Sequence, residues 1–322
     1  MKKKTKFVKY FKEYQWSNIF AMIRNNRLDP KTWKGEFKGK LVVITGATSG
    51  IGYFTAHKYA SMGSKLLCIN RSLERSEALK EEIEGKYGVT CDFKIADLSK
   101  LKDIHRVAAE LAGLDTPLDV IIHNAGVYLT KRVLTGDKLE KVFVVQYLSS
   151  FIINHILMDK LKSQEKARII LVNSEGHRFA AWGLKLDDLN WEKRRYTGLK
   201  SYGSAKLAQL LSMLVFSEHF KGSGVTINAM HPGAVKTETG QDNGPLYLWY
   251  KKNVLDRSLK SPEISAEALY YLGASDDIDN VSGKFFNLTT EEEPAPPALD
   301  SEVAYRLWEL SREIGRLISK HS

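Results

Sequence analysis

The chain has 322 residues, 43% hydrophobic and 27% charged. This is globular composition with ample apolar material for a core, and it excludes a wholly disordered chain, a collagen-like repeat and a small disulfide scaffold. Nearly all of the net charge of +10 sits in residues 1–40, where twelve basic side chains meet three acidic ones; the rest is close to neutral and is not a nucleic-acid binder on charge grounds.

Residues 1–37 form a basic arm. Phe7, Phe11, Tyr14, Ile19, Met22 and Ile23 fall near one side of a helix, with lysines elsewhere. Such a pattern suits an interfacial membrane helix. It equally suits a terminal helix packed on the domain or in a homo-oligomer interface. No run of eighteen apolar residues occurs, so no transmembrane helix is expected. No apolar segment with a cleavage site opens the chain, so no signal peptide is expected. Cys68 and Cys91 lie in apolar runs and read as core residues in a reducing compartment. The expectation is a cytoplasmic protein, with peripheral membrane contact through the arm left open.

From Lys40 onward, short β-branched runs alternate with longer amphipathic ones. The predicted strands are Leu41–Thr45, Lys65–Ile69, Val89–Ile95, Leu118–His123, Ala167–Ser174, Val225–His231 and Gly283–Leu288. The predicted helices include Ser72–Tyr87, Leu101–Leu111, Lys138–Leu161, Tyr202–Phe220 and Pro262–Gly273. Continuous apolar strands separated by helices indicate a parallel sheet covered on both faces. The series reads as one doubly wound α/β domain over residues 38–290, with a mostly parallel seven-stranded sheet. Residues 291–322 follow as an acidic, proline-rich linker, Glu291–Pro297, and a terminal amphipathic helix, Leu299–Ile318.

The first strand runs into Gly46-Ala47-Thr48-Ser49-Gly50-Ile51-Gly52. A sharp turn after a strand, close approach of backbone to a pyrophosphate and tight helix packing all call for glycine, and the next helix N-terminus attracts the phosphate charge. An acid at the end of the second strand would select NAD; a cation accommodates the extra phosphate of NADP. Here that strand ends in Asn70-Arg71-Ser72, with no acid. Arg71 offers a bidentate fork and Ser72 a hydroxyl, so NADP is favoured over NAD.

Tyr202-x-x-x-Lys206 places a phenol and an ammonium on one helix face. A nearby cation lowers a phenol's pKa. Four strand ends share the carboxyl edge where doubly wound sheets bind ligands: the Gly46 turn, His123-Asn124-Ala125-Gly126, Val172-Asn173-Ser174 and His231-Pro232-Gly233.

With these motifs in this order the chain resembles a classical short-chain dehydrogenase/reductase over about residues 38–290. Leu189-Asn190-Trp191, Lys221-Gly222-Ser223-Gly224-Val225, Ser261-Pro262-Glu263 and Val281-Ser282-Gly283-Lys284-Phe285-Phe286 are similar to the retinol-dehydrogenase-like branch. The resemblance implies that Tyr202 is the general acid and base, Lys206 binds nicotinamide-ribose hydroxyls and lowers the Tyr202 pKa, and Ser174 hydrogen-bonds the substrate oxygen. It further implies that Asn124, Ala125 and Gly126 support the cofactor, that Asp97 and Leu98 flank the adenine, and that Val235 and Thr237 after Pro232-Gly233 face the nicotinamide. Where the family usually has a relay asparagine, this chain has Gln146, one methylene longer. Asn173 replaces a common serine.

Residues 176–199 form an insert with Phe179, Trp182, Trp191 and Tyr196, and a second loop carries Leu246-Tyr247-Leu248-Trp249-Tyr250. These aromatics suit either a small, apolar alcohol or carbonyl substrate or ordinary packing on the domain. The expected function is an NADP-dependent alcohol/carbonyl oxidoreductase. The alternative is a catalytically weak dinucleotide-binding sensor or interaction protein, against which intact Ser174, Tyr202 and Lys206 argue.

Overall fold

The computed structural model describes Tyr10 and residues 13–25, 28–235 and 260–317. Helix α1 (Trp16–Asn25) precedes an eight-stranded sheet. Its strands are β1 (Leu41–Thr45), β2 (Lys65–Asn70), β3 (Cys91–Ile95), β4 (Val120–His123), β5 (Ala167–Val172), β6 (Val225–His231), β7 (Phe285–Asn287) and β8 (Thr290–Glu291). The spatial order is β3-β2-β1-β4-β5-β6-β7-β8. Pairing is parallel throughout except at β7–β8. The order reverses between β1 and β4, which opens a crevice at their carboxyl ends.

The fold is the expected doubly wound sheet, with one strand more than the seven read from the sequence. β8 is two residues long and shows no periodicity. It is defined by pairing with β7, Phe286 opposite Glu291 and Asn287 opposite Thr290. The turn between them passes through Leu288 at φ 53°, an unfavourable region for a side chain with a Cβ.

The central strands are buried on both faces, which explains their unbroken apolar runs. On one face pack α4 (Leu101–Ala112), α6 (Ser149–Lys162) and α7 (Gly198–His219). On the other lie α2 (Gly50–Ser61), α3 (Leu73–Tyr87) and α8 (Glu263–Ala274). α6 continues a short α5 (Lys141–Phe143) through a π-helical turn, Val144–Leu148. This combined helix, Lys141–Lys162, has a mean hydropathy of 1.4 over eighteen residues, enough for a membrane span, but 78% of that window is buried inside the protein. It is a core helix.

The last helix, α9 (Ser301–Ile314), covers the outer side of α6 and α7. Trp308 packs between Phe151 (ring centroids 5.0 Å), Phe216 (4.6 Å) and His219 (4.7 Å). The Tyr147 and Ser311 hydroxyls hydrogen-bond at 2.6 Å. Described parts of the arm also lie on the domain. Tyr10 Oη donates to Asp300 Oδ2 at 2.6 Å, and the Lys31 amide donates to Thr289 Oγ1 at 2.8 Å. Of the helix face expected to be apolar, Tyr14 and Met22 are half-buried, while Phe7 and Phe11 lie outside the described residues.

Candidate active site

The glycine-rich turn is built by contacts between the ends of β1, β2 and β4. Gly46 adopts φ 70°, and Gly52 passes so close that a Cβ there would sit 2.1 Å from the Gly46 carbonyl oxygen. Thr45 Oγ1 accepts from the amides of Asn124 and Ala125, both at 2.9 Å. Asn124 Nδ2 donates to the carbonyls of Thr45 (3.1 Å) and Gly46 (2.9 Å). Asn70 turns inward, with Oδ1 accepting from the Ala47 amide at 2.8 Å and Nδ2 donating to Ser76 Oγ at 3.1 Å.

A cleft of about 630 Å³ opens over this turn. Gly46, Ser49, Gly50, Ile51, Arg71, Ser72, Asp97, Leu98, Asn124, Ala125, Gly126, Gln146, Ser174, Tyr202, Lys206, Pro232, Gly233 and Val235 all line it. Gly52 lies behind the turn, and Thr237 falls outside the described residues. Ser72 caps α3, its Oγ accepting from the Arg75 amide at 3.3 Å. Asp97 Oδ1 accepts from the amide and hydroxyl of Ser99 at 3.0 and 2.7 Å. Burial pushes this carboxyl up, but the Ser99 bonds and nearby lysines outweigh it and hold it below the usual range.

Ser174, Tyr202 and Lys206 meet at the other end of the cleft. Asn173 Nδ2 donates to the Lys206 carbonyl (3.0 Å) and Gln209 Oε1 (2.8 Å) on α7, and its Oδ1 accepts from the Ser174 amide at 2.8 Å. Asn173 therefore fixes the end of β5 against the helix bearing Tyr202. Lys206 Nζ lies 5.7 Å from the Tyr202 ring centroid and donates to the Val172 carbonyl at 2.6 Å. Burial lowers the Lys206 pKa to about 7. Burial also raises the Tyr202 pKa, against a lowering by its hydrogen bond with Ser174. Burial thus opposes the charged form of both groups, and the lysine amine donates to a strand carbonyl.

Gln146 lies in the π turn, where its Nε2 donates to the Val127 carbonyl at 2.8 Å and its buried Oε1 has no partner. π turns widen a helix by one residue and recur at functional positions. Two further residues escaped the sequence reading. Arg75, in the first turn of α3, also lines the cleft; a second arginine four residues after Arg71 was the available signal. Tyr128 packs edge-on to Tyr202, with centroids 5.9 Å apart, and has no local signal.

The residues present fit a dinucleotide. The turn leaves no room for a Cβ behind it, the lining includes Arg71 and Arg75 as well as the Ser-Tyr-Lys group, and Gln146, whose buried amide oxygen has no partner, also lines the cleft. A crevice at the strand-order switch, with a phenol and an amine beside it, defines a dinucleotide-dependent oxidoreductase. Comparison with known proteins makes this specific. Residues 40–183 match the family described as short chain dehydrogenase. Retinol dehydrogenase 13 of Homo sapiens is 36% identical over 288 residues, 88% of this chain and 86% of that protein. A solved structure from Mycobacterium paratuberculosis matches with a TM-score of 0.69 at 24% identity, covering 89% of this chain and 98% of that one. A short chain dehydrogenase of Shigella flexneri complexed with NADP matches with a TM-score of 0.60 at 19% identity, over 79% of this chain and 99% of that one. The chain belongs to the short-chain dehydrogenase/reductase family, in its retinol-dehydrogenase-like branch, and is an oxidoreductase of the alcohol/carbonyl pair.

Burial around the site sets the protein's response to acid. Burial lowers His123 to about 4, His177 to about 3 and His231 to about 4. Unfolding restores a value of about 6.5. The stability held by these neutral rings is therefore present above pH 6.5 and lost as pH falls toward 4. Glu175, raised to about 7 chiefly by burial, acts the other way: its contribution is complete below about pH 4.5 and lost as pH rises through 7. Three groups outweigh one, so the urea midpoint should be lower at pH 5 than at pH 7. His123→Asn, which keeps a donor toward Asn154, should flatten that difference; equal midpoints for the wild type at both pH values contradict the account.

Proposed function

We propose that this enzyme uses NADP(H) to interconvert a lipophilic alcohol and its carbonyl. Tyr202 exchanges the proton and Ser174 holds the substrate oxygen. The supporting observation is that Ser174, Tyr202 and Lys206 converge on one wall of a cleft whose far end is rimmed by Arg71 and Arg75.

The preference for NADP(H) rests on charge. The β2 end offers no acid, and the Asn70 side chain is engaged inside the turn. Exposed Arg71 lines the cleft beside the β2 end, and a bidentate fork suits a ribose phosphate. Aromatic Tyr128 beside Tyr202 supports a lipophilic substrate. Asp97 and Leu98 flank the adenine in this reading, and Pro232, Gly233, Val235 and Thr237 face the nicotinamide.

The bound cofactor supplies or accepts the hydride. The chain supplies the proton and the geometry. Tyr202 Oη donates its proton to the carbonyl oxygen in reduction and recovers it in oxidation. Ser174 Oγ steers that oxygen toward Tyr202. Lys206 binds ribose hydroxyls, and in its protonated state it favours the phenolate. The free Gln146 Oε1 accepts from a water on the path by which Tyr202 is reprotonated.

Tyr202→Phe keeps the ring, so folding and NADPH binding should survive while turnover drops about 10²–10⁴-fold. Near wild-type turnover with a carbonyl panel would remove Tyr202 from the reaction. Arg71→Ala removes a charge-assisted pair and should weaken NADPH about ten- to a hundredfold, or roughly 1.5–3 kcal/mol, with little effect on NADH. Equal wild-type affinity for NADH and NADPH, by quenching titration, defeats the preference.

The arm adds a second proposal, peripheral contact with an anionic membrane surface by residues 1–40. Its support is the positive charge concentrated there, with Phe20 on α1 66% exposed. Sedimentation with anionic vesicles should be salt-sensitive and lost on deletion of residues 1–12, with NADPH affinity retained. Full-length protein that stays in solution with such vesicles at low salt rules it out.

A further inference from the structure

The turn after Ser174 is tied to both ends of the chain through buried polar groups that lie outside the cleft. Ser174 caps the 3₁₀ turn Glu175–Ala180, its Oγ accepting from the Gly176 amide at 3.0 Å. Its carbonyl accepts from the His177 amide at 3.1 Å and from His177 Nδ1 at 2.8 Å. The opposite ring nitrogen, Nε2, accepts from the Ala295 amide at 3.0 Å. His177 is thus neutral, with its proton on Nδ1, and bridges the catalytic turn to the segment after β8.

Arg178 makes the second bridge. Its Nε pairs with Glu175 Oε2, while Nη2 donates to Glu292 Oε1 at 2.9 Å and to the Glu293 carbonyl at 3.2 Å. The Glu292 side chain is 2% exposed. Its Oε2 accepts from Asn25 Nδ2 on α1 at 3.0 Å and from Asn287 Nδ2 on β7 at 3.4 Å. One half-buried guanidinium therefore serves a half-buried and a buried carboxylate that come from distant parts of the chain.

Stability is a poor reason for such a cluster. Taking such groups out of water is costly, and apolar replacements of similar volume are often neutral or stabilising. What a guanidinium fork adds over apolar packing is direction. The direction here is fixed on the residue next to Ser174.

We infer that Arg178 is a positioning residue: by joining Glu175 to Glu292, and through Glu292 to Asn25 of α1, it holds the turn that presents Ser174 to the substrate oxygen. The inference rests on the role proposed above for Ser174. Arg178 and Glu292 do not line the cleft, so the lock acts on the chemical step and not on dinucleotide affinity. It also gives α1 a second duty, since its last residue completes the lock.

The test compares Arg178→Gln, Arg178→Lys and Asn25→Ala for turnover, NADPH affinity and amide exchange across residues 174–180. A misplacement of about 1 Å costs up to about a hundredfold, so Arg178→Gln should lower kcat about ten- to a hundredfold. NADPH affinity should stay within about twofold. Exchange should rise in the turn and stay unchanged in α7. Arg178→Lys keeps the charge and should recover part of kcat. Asn25→Ala, far from the cleft, should lower kcat about two- to tenfold with the same exchange signature. Unchanged kcat and exchange in folded Arg178→Gln overturn the lock. So does a parallel loss of kcat and NADPH affinity. If Arg178→Gln fails to fold, Asn25→Ala decides by the same readouts. A wild type inert toward every carbonyl tested would remove the function proposed for Ser174, while amide exchange would still decide whether the lock exists.

Discussion

The carbonyl oxygen of Gly46 accepts from Asn124 Nδ2 at 2.9 Å, and the backbone of Gly52 leaves no space for a side chain beside the same oxygen. These contacts join the end of β1, the start of α2 and the end of β4 in a few ångströms. Because β1 and β4 are neighbours at the point where the strand order reverses, the junction lies at the floor of the crevice. A bulkier residue at position 52 would push α2 away from the turn, withdrawing the helix N-terminus from any phosphate placed there. Strand order, glycine spacing and the asparagine are therefore one constraint, expressed in three parts of the sequence.

Burial governs the chemistry at the other end of the cleft. A lysine kept 4% exposed and a tyrosine lodged in protein are both driven toward their neutral forms. The spacing of Tyr202 and Lys206 puts a cation near the phenol, where it would lower the phenol's pKa. The structure places the amine on the Val172 carbonyl instead, with its pKa near neutrality. A group poised there changes protonation for a modest change in surroundings, since one pKa unit corresponds to about 1.4 kcal/mol.

Local periodicity explains what could be read without coordinates. The β1 and β5 runs, the glycine turn and Tyr202-x-x-x-Lys206 each lie within one or two elements, where spacing dictates placement. The unread features come from contacts between distant segments or from departures from ideal periodicity. The π turn shifts the face presented by Gln146 without altering composition. β8 exists only through its pairing with β7. Tyr128 reaches Tyr202 across a loop. Glu292, in a stretch that reads as an acidic linker, is buried because Arg178 and Asn25 come to it from 114 and 267 residues away.

The same reasoning applies to the two ends of the chain. An amphipathic helix signals that one side is covered without saying by what. For α9 the cover is the aromatic surface of α6 and α7, so the long apolar helix Lys141–Lys162 is shielded by the chain itself. For α1 the contacts are different in kind. Tyr10 before the helix and Asn25 at its end are buried and attach to Asp300 and Glu292, whereas Phe20 between them is exposed. Polar anchors at both ends hold the segment on the domain on one side and leave Phe20 outward on the other. The two alternatives raised by its sequence are therefore compatible: docking on the domain fixes the orientation in which the outer side is displayed.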